Sequence, residues 1–215
     1  MLRRFAVALT LGLAAAGTWS LLDAPVAQAR SVTPLTQDQM VDASDLVVKG
    51  VVSEVWTQLD DQRRIWTLAS VEVTRVYKGA STTEQVLVYQ KGGSHNGVSM
   101  VSSVFVRFSP GEEVLLFLET NSAGKNLVIG GDLGKYTVRI DPDNGDQMLV
   151  RATVPQNMYY DHRFLPHPPA DQRIYLADVE AEVLDRVAEG WDGQPIPGTS
   201  MDRLERINTT QGVTR

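Results

Sequence analysis

The stretch LVVKGVVSEVW, residues 46–56, indicates the fold more strongly than any other part of the chain. It is rich in valine, a β-branched residue that packs well on the pleated surface of a sheet. Gly50 lies in its middle, and a glycine inside a strand usually marks a bulge, a bend or a close approach of another backbone. A long first strand that bends at Gly50 can serve both halves of a small closed barrel. The stretch therefore predicts a β-barrel.

The residues that follow continue the β pattern. Residues 65–74 alternate between an apolar row and a row that turns polar, which is the period of a half-buried strand. Trp66 lies opposite the apolar row, so we expect an exposed ring. Residues 94–103 are polar and contain glycine, which predicts a loop. Further strands are predicted at 85–90, 114–118 (apolar on both faces and therefore central), 127–129, 136–140 and 148–150.

Helical patterns flank this β region. Thr36 is a predicted N-cap for a short helix over 37–43. Residues 155–170 contain four prolines and predict an irregular connector between the barrel domain, 30–154, and a C-terminal helix. In residues 171–190 apolar side chains recur at helical spacing and Gly190 is a stop signal. Residues 191–215 predict a polar, frayed tail.

The first 29 residues resemble an export signal more than part of the fold. Arg3 and Arg4 form a positive n-region, residues 5–16 are uncharged and apolar, and Ala27-Gln28-Ala29 is a small-x-small cleavage site. The alternative is an uncleaved membrane anchor, for which the uncharged run of residues 5–22 is at the short limit. We therefore expect a secreted or periplasmic protein that begins at Arg30 and meets the membrane only through its signal segment before cleavage.

Composition excludes several classes of protein. The chain of 215 residues has a net charge of −6, 17 glycines and no cysteine, which is unlike collagen, a coiled coil or a wholly disordered chain. Without cysteine there are no disulfides, thiolate metal sites or cysteine nucleophiles. The net negative charge and the lack of a Lys/Arg run also argue against nucleic-acid binding, which needs positively charged side chains to contact the phosphates.

Four segments together resemble a known family: residues 44–52, 71–79, the Gly92-Gly93 pair and residues 108–118. They are similar to poorly characterised secreted bacterial proteins with a netrin-like, OB-type barrel, a barrel that also occurs in the tissue inhibitors of metalloproteinases. The resemblance spans roughly Leu35 to Val150 and implies a mainly β fold. It says little about function, because one fold hosts many functions. The animal inhibitors present the amine and carbonyl of an N-terminal cysteine to the zinc of the protease, and no such residue can be carried over to this chain.

Candidate catalytic and metal-binding residues do not form a recognised motif. His162 and His167 lie in the Pro-rich connector, where loop histidines are the better interpretation. Residues 141–146 hint at a calcium loop, but the glycine and acidic positions of an EF-hand are not met, so an Asp-rich turn is favoured. The adjacent Glu112 and Glu113 should point to opposite faces rather than form an acid/base pair. The sequence predicts no catalytic residue, no metal ligand and no cofactor site.

One surface remains as a candidate binding site, around Trp66, Gly92, Gly93 and His95. Together these observations predict an exported, non-catalytic binding module for a protein or glycan partner. The alternative is a secreted protease inhibitor or protease-associated domain.

Overall fold

The computed structural model describes residues 35–80, 84–100, 105–151, 159–160, 166–167 and 173–210. The predicted signal segment, residues 30–34 that follow it, and His162 lie outside these residues. Within the described part, the chain is mainly β, as predicted. Its elements are α1 Gln37–Ala43, β1 Leu46–Leu59, β2 Ile65–Lys78, β3 Gln85–Lys91, β4 Gly93–His95, β5 Val98–Met100, β6 Glu113–Thr120, β7 Asn126–Val128, β8 Lys135–Ile140, β9 Gln147–Arg151, β10 Tyr159–Tyr160, β11 Pro166–His167, β12 Ile174–Tyr175, α2 Leu176–Glu189 and α3 Met201–Thr210.

Eight of the described strands form one sheet in the order β1-β2-β3-β7-β6-β8-β9-β12. The β3–β7 pair is parallel, and the other pairs in this sheet are antiparallel. β1 pairs with β6 as well as with β2, so both of its edges are hydrogen-bonded over residues 47–51. The strands β4 and β5 form a separate hairpin, and β10 pairs with β11.

Gly50 lies where β1 contacts both neighbours. It is opposite Val73 on β2 and Val114 on β6, and the register with β2 shifts between Lys49 and Gly50. A Cβ atom at this position would lie 2.3 Å from the carbonyl oxygen of Glu72. The absence of a side chain thus permits the close approach of two strands.

The two faces of the sheet bury two hydrophobic clusters. Along β6, Leu116 and Leu118 pack into a cluster formed mainly by strand residues together with Val106, whereas Leu115 and Phe117 point to the opposite face. On that opposite face they pack with residues of all three helices, among them Met40, Val179 and Leu204. Successive side chains of a strand point to opposite faces, so the central strand β6 contributes to both hydrophobic clusters. The prediction of a strand apolar on both faces at 114–118 is confirmed.

The short helix α1 occupies the predicted residues. Thr36 accepts a hydrogen bond from the backbone N–H of Gln39, and the Gln39 side chain accepts one from the backbone N–H of Thr36. This reciprocal capping box satisfies two N-terminal donors of the helix. The C-terminal helix α2 begins at Leu176, later than the predicted residue 171, because Ile174 and Tyr175 pair with β9.

Two expectations about irregular segments are wrong. Within 94–103, predicted as a loop, residues up to Met100 contribute to the β4–β5 hairpin. Within the predicted polar tail, Met201–Thr210 form helix α3, in which Leu204 and Ile207 are buried. Only two apolar side chains of α3 face the core, so the low average hydropathy of this segment concealed an amphipathic helix.

Candidate functional site

The structure brings three of the four predicted site residues together beside the start of β2. The Thr67 hydroxyl donates to the carbonyl of Gly92 at 2.7 Å, and a Cβ atom on Gly93 would lie 2.4 Å from the same hydroxyl oxygen. The Nδ1 atom of His95 lies 3.3 Å from the hydroxyl of Thr57 on β1. Gly93 has a φ of +125°, a conformation that glycine adopts readily, and it leads directly into β4.

Trp66 is also near this site, but its ring is not exposed as predicted. The side chain is only 3% exposed. Its indole N–H donates to Asp60 at 2.9 Å, and the Lys125 ammonium lies 4.1 Å from the centroid of the ring. Tyr89 contacts the same ring edge-on, with the centroids 6.3 Å apart. The covering groups come from two turns and a neighbouring strand, so the alternation within β2 alone could not reveal them.

Asp60 organises the turn between β1 and β2. Its carboxylate accepts hydrogen bonds from the Trp66 indole and from both the backbone N–H and the guanidinium of Arg64. Burial acts to raise the pKa of Asp60, but these donors outweigh it and lower the pKa below its ordinary value. The Trp66 region is thus a rigid support rather than an open stacking platform.

The exposed part of this region is the β4–β5 hairpin. Val98 is 64% exposed and Met100 is 37% exposed. The backbone of β4 is joined to the rest of the molecule through the Thr57 hydroxyl, which donates to the carbonyl of Ser94 at 2.9 Å. Within the described residues, β5 pairs with β4 and with no other strand. We call residues 93–100 the hairpin surface.

The adjacent carboxylates of Glu112 and Glu113 have separate ionic partners. Glu112 accepts from the Lys135 ammonium at 2.7 Å and from the Thr137 hydroxyl. Glu113 lies 3.5 Å from the ammonium of Lys49. The prediction that the two side chains do not act as a pair is consistent with these contacts.

The Asp-rich turn between β8 and β9 is neutralised from within the protein. The Arg173 guanidinium contacts both carboxylate oxygens of the fully buried Asp141, at 2.9 and 2.8 Å, and lies 2.6 Å from Asp143. The backbone N–H of Asp143, the Tyr175 hydroxyl and Arg173 together lower the pKa of Asp141. Arg173 therefore supplies the positive charge that a calcium loop takes from a metal ion. Among the described residues, no group of three or more His, Asp or Glu side chains could hold a metal.

A second site was not predicted from the sequence. It is a polar cleft of about 840 Å³ between the C-terminal end of α1, the facing ends of β2 and β3, and helices α2 and α3. Its charged lining residues are Asp42, Asp45, Lys78, Arg186, Arg203 and Arg206. These residues are spread from position 42 to position 206 and form no sequence motif, so sequence patterns could not predict that they converge.

Lys78 is the most buried cation of this cleft, with 4% of the residue exposed. Its ammonium donates to the carbonyls of Val41 at 2.7 Å and Asp42 at 3.1 Å, the last turn of α1. Burial lowers the pKa of Lys78 to about 8, against the opposing effect of the carboxylates of Asp42 and Asp45.

Comparisons with known proteins do not extend this description. No protein-family model matches the chain, and no curated protein matches it. Across the part of the chain that the structure describes, none of the helices has the length and apolar character needed to cross a membrane.

Proposed function

We propose that the chain is an exported, non-catalytic binding module that contacts its partner, an exported protein or glycan, through the hairpin surface. The observation that carries this proposal is the combination of exposed Val98 and Met100 with a strand, β5, that has one edge unpaired within the described residues. An open strand edge offers backbone hydrogen bonds to an added strand, and side chains beside it provide selectivity. Between the two kinds of partner, this chemistry favours a polypeptide.

The fold of the module is proposed to be an OB-type barrel. Support comes from the pairing cycle β1–β2–β3–β7–β6–β1, which returns to the strand where it started. The parallel β3–β7 pair is the narrowest link, with Val88 opposite Asn126. The strands of this cycle also share one hydrophobic cluster, which includes Val48, Val71 and Leu116.

A non-catalytic role for the two acidic turns, β1–β2 and β8–β9, is supported by the partners of their carboxylates. Asp141 and Asp60 each accept hydrogen bonds from a cationic side chain, and the pKa of each of these two carboxyls is lowered. A carboxylate held in this way is stabilised in its charged form and acts as a structural acceptor, whereas a general acid or base needs a pKa near the working pH.

The proposal is tested by affinity capture from the exported fraction, read by mass spectrometry, with the wild-type protein and two variants. Val98→Glu places a charge on the hairpin surface and should reduce the affinity for the captured partner by at least about tenfold, equivalent to ~1.4 kcal/mol. Ile140→Glu is the matched control, since Ile140 is 60% exposed on β8, outside the hairpin surface. Equal loss of binding in both variants, or none in Val98→Glu, would contradict the proposal.

Two further measurements examine the other parts of the proposal. N-terminal sequencing of the exported protein should begin at Arg30, whereas a chain that keeps Met1 in the membrane fraction would contradict cleavage. Assays with secreted proteases separate simple binding from inhibition: a captured protease that is inhibited by the wild-type protein and not by Val98→Glu would favour the inhibitor alternative.

A further inference from the structure

The cleft beside α1 is lined by four cationic and two anionic side chains. Three further carboxylates lie close to two of these cations: Glu189 and Asp192 are 3.6 and 3.8 Å from Arg186, and Glu119 is 3.9 Å from Arg203. Arg186 is paired with Asp42 at 2.6 Å, and Arg203 with Asp45 at 2.5 Å. These two pairs neutralise four of the six charged groups in the lining, which leaves Lys78 and Arg206. Within the described residues, neither Lys78 nor Arg206 forms an ion pair, although the chain as a whole has a net charge of −6.

Lys78 retains hydrogen-bonding capacity toward the cleft. An ammonium group has three N–H donors, and two of them are used by the carbonyls of Val41 and Asp42. Among the described residues no third acceptor contacts this ammonium. A buried cation is stabilised when an anion approaches it, because water solvates it poorly there.

Arg206 supplies a second cation to the lining, from helix α3. It lies on α3, one turn from Arg203, and lines the same cleft while its side chain is exposed. No ion pair joins it to an acidic residue within the described part of the chain. A guanidinium presents a planar set of donors that matches carboxylate and phosphate oxygens.

The walls that carry these cations are held in place before any ligand binds. Arg203 donates to the carbonyl of Ala43 at 2.7 Å, and Arg186 contacts both oxygens of the Asp42 carboxylate. These bonds tie α2 and α3 to the end of α1. A preformed site avoids part of the entropic cost of ordering side chains when a ligand binds.

We propose that this cleft binds a small oxyanion ligand, a carboxylate or a phosphate, held between the Lys78 ammonium and the Arg206 guanidinium. The site is separate from the hairpin surface, so it does not depend on the function proposed above.

The proposal is tested by isothermal titration of the full protein with two probes, citrate and inorganic phosphate, at equal and low ionic strength, since salt screens an exposed arginine. At least one probe should bind with one-to-one stoichiometry. Arg206→Ala should weaken that binding by about tenfold or more, as expected for the loss of a charge-assisted hydrogen bond. Binding of citrate alone or of phosphate alone assigns the ligand to the carboxylate or to the phosphate class.

Three further variants complete the test. Lys78→Met should also weaken binding, and Arg206→Ala keeps the proposal testable if the buried substitution prevents folding. Arg139→Ala removes an exposed cation from β8, outside the cleft, and should leave the affinity unchanged. Val98→Glu should likewise leave it unchanged, which separates this site from the hairpin surface. Absence of binding by both probes, or binding that is equal in Arg206→Ala and the wild type, would overturn the proposal.

Discussion

The guanidinium of Arg186 lies alongside the carboxylate of Asp42, with Nε 3.0 Å from Oδ1 and Nη2 2.6 Å from Oδ2. The pair joins α2 to the last turn of α1, and the two side chains are only 13% and 6% exposed. Burial raises the pKa of Asp42, while Arg186 acts to lower it. The Asp42 carboxylate therefore depends on Arg186 to remain charged inside the protein, whereas a guanidinium stays charged in either case.

Removal of one member of this pair should be strongly destabilising. Arg186→Met leaves a buried carboxylate without its cation and should lower the free energy of unfolding by about 3–5 kcal/mol. The double variant Asp42→Asn with Arg186→Met should lower the free energy of unfolding by less than the two single substitutions added together, because neither charge is then left unpaired. Urea denaturation measures all three. Arg75→Met is the control, since the Arg75 side chain is 48% exposed in its pair with Glu180 and should contribute about 1 kcal/mol or less. A similar loss in Arg75→Met and Arg186→Met would contradict the role of burial.

Lys78 should make stability depend on alkaline pH. Its pKa is about 8 in the folded protein and 10.5 in the reference state, so between these values the unfolded chain binds a proton that the folded chain does not. Stability should therefore rise with pH in this window, relative to Lys78→Met, by up to about 1.4 kcal/mol per pH unit. The neutral amine can still donate to the two α1 carbonyls. Denaturation at about pH 8 and about pH 10 measures the difference in free energy of unfolding between the wild type and Lys78→Met. If this difference is the same at both pH values, the pKa of Lys78 is not lowered.

Gly50 should tolerate a methyl group poorly. In Gly50→Ala the new Cβ would lie 2.3 Å from the Glu72 carbonyl oxygen and 2.8 Å from Cγ1 of Val71, so a backbone must move. We expect the free energy of unfolding to fall by roughly 3 kcal/mol, which is the upper end of the usual cost of overpacking. Gly124→Ala tests backbone strain alone, because Gly124 has a φ of +71° and open space around it; its expected cost is about 1 kcal/mol. Thermal or urea unfolding compares the two, and a smaller effect at Gly50 would be contrary to the close packing of β1.

Helix α3 should contribute to the stability of the whole domain. Leu204 is fully buried among residues of α1 and α2, so Leu204→Ala should cost about 2–5 kcal/mol. Met201, 38% exposed at the start of the same helix, provides the control, with an expected change within about 0.5 kcal/mol for Met201→Ala. Equal and small effects at both positions would mean that α3 is not docked.

The features that the sequence predicted well are those determined by neighbouring residues. The N-cap residue Thr36 directly precedes helix α1, and the apolar run of residues 114–118 lies within the eight residues of β6. Both signals lie in or next to the element that they predict. Helix α1 and seven of the strands, β1 to β3 and β6 to β9, could therefore be located from local pattern alone.

The features that the sequence did not predict depend on residues far apart in the chain. Trp66 is buried because Lys125 and Asp60 cover it, and no rule based on the spacing within β2 includes Lys125. The cleft was missed for the same reason, since Arg203 binds the carbonyl of Ala43 across 160 positions. Burial of a ring and convergence of cations are properties of tertiary structure, and composition gives no measure of them.

The C-terminal end of α1 has implications for the order in which the protein assembles. The four last carbonyls of this helix are satisfied by the Ser44 hydroxyl, the Lys78 ammonium and the Arg203 guanidinium, of which only the first is local. A helix of seven residues is too short to persist alone in water. It gains its partners only after β2 and α3 have reached it. Helix α1 is therefore expected to become ordered late in folding, although it precedes β1 in the chain.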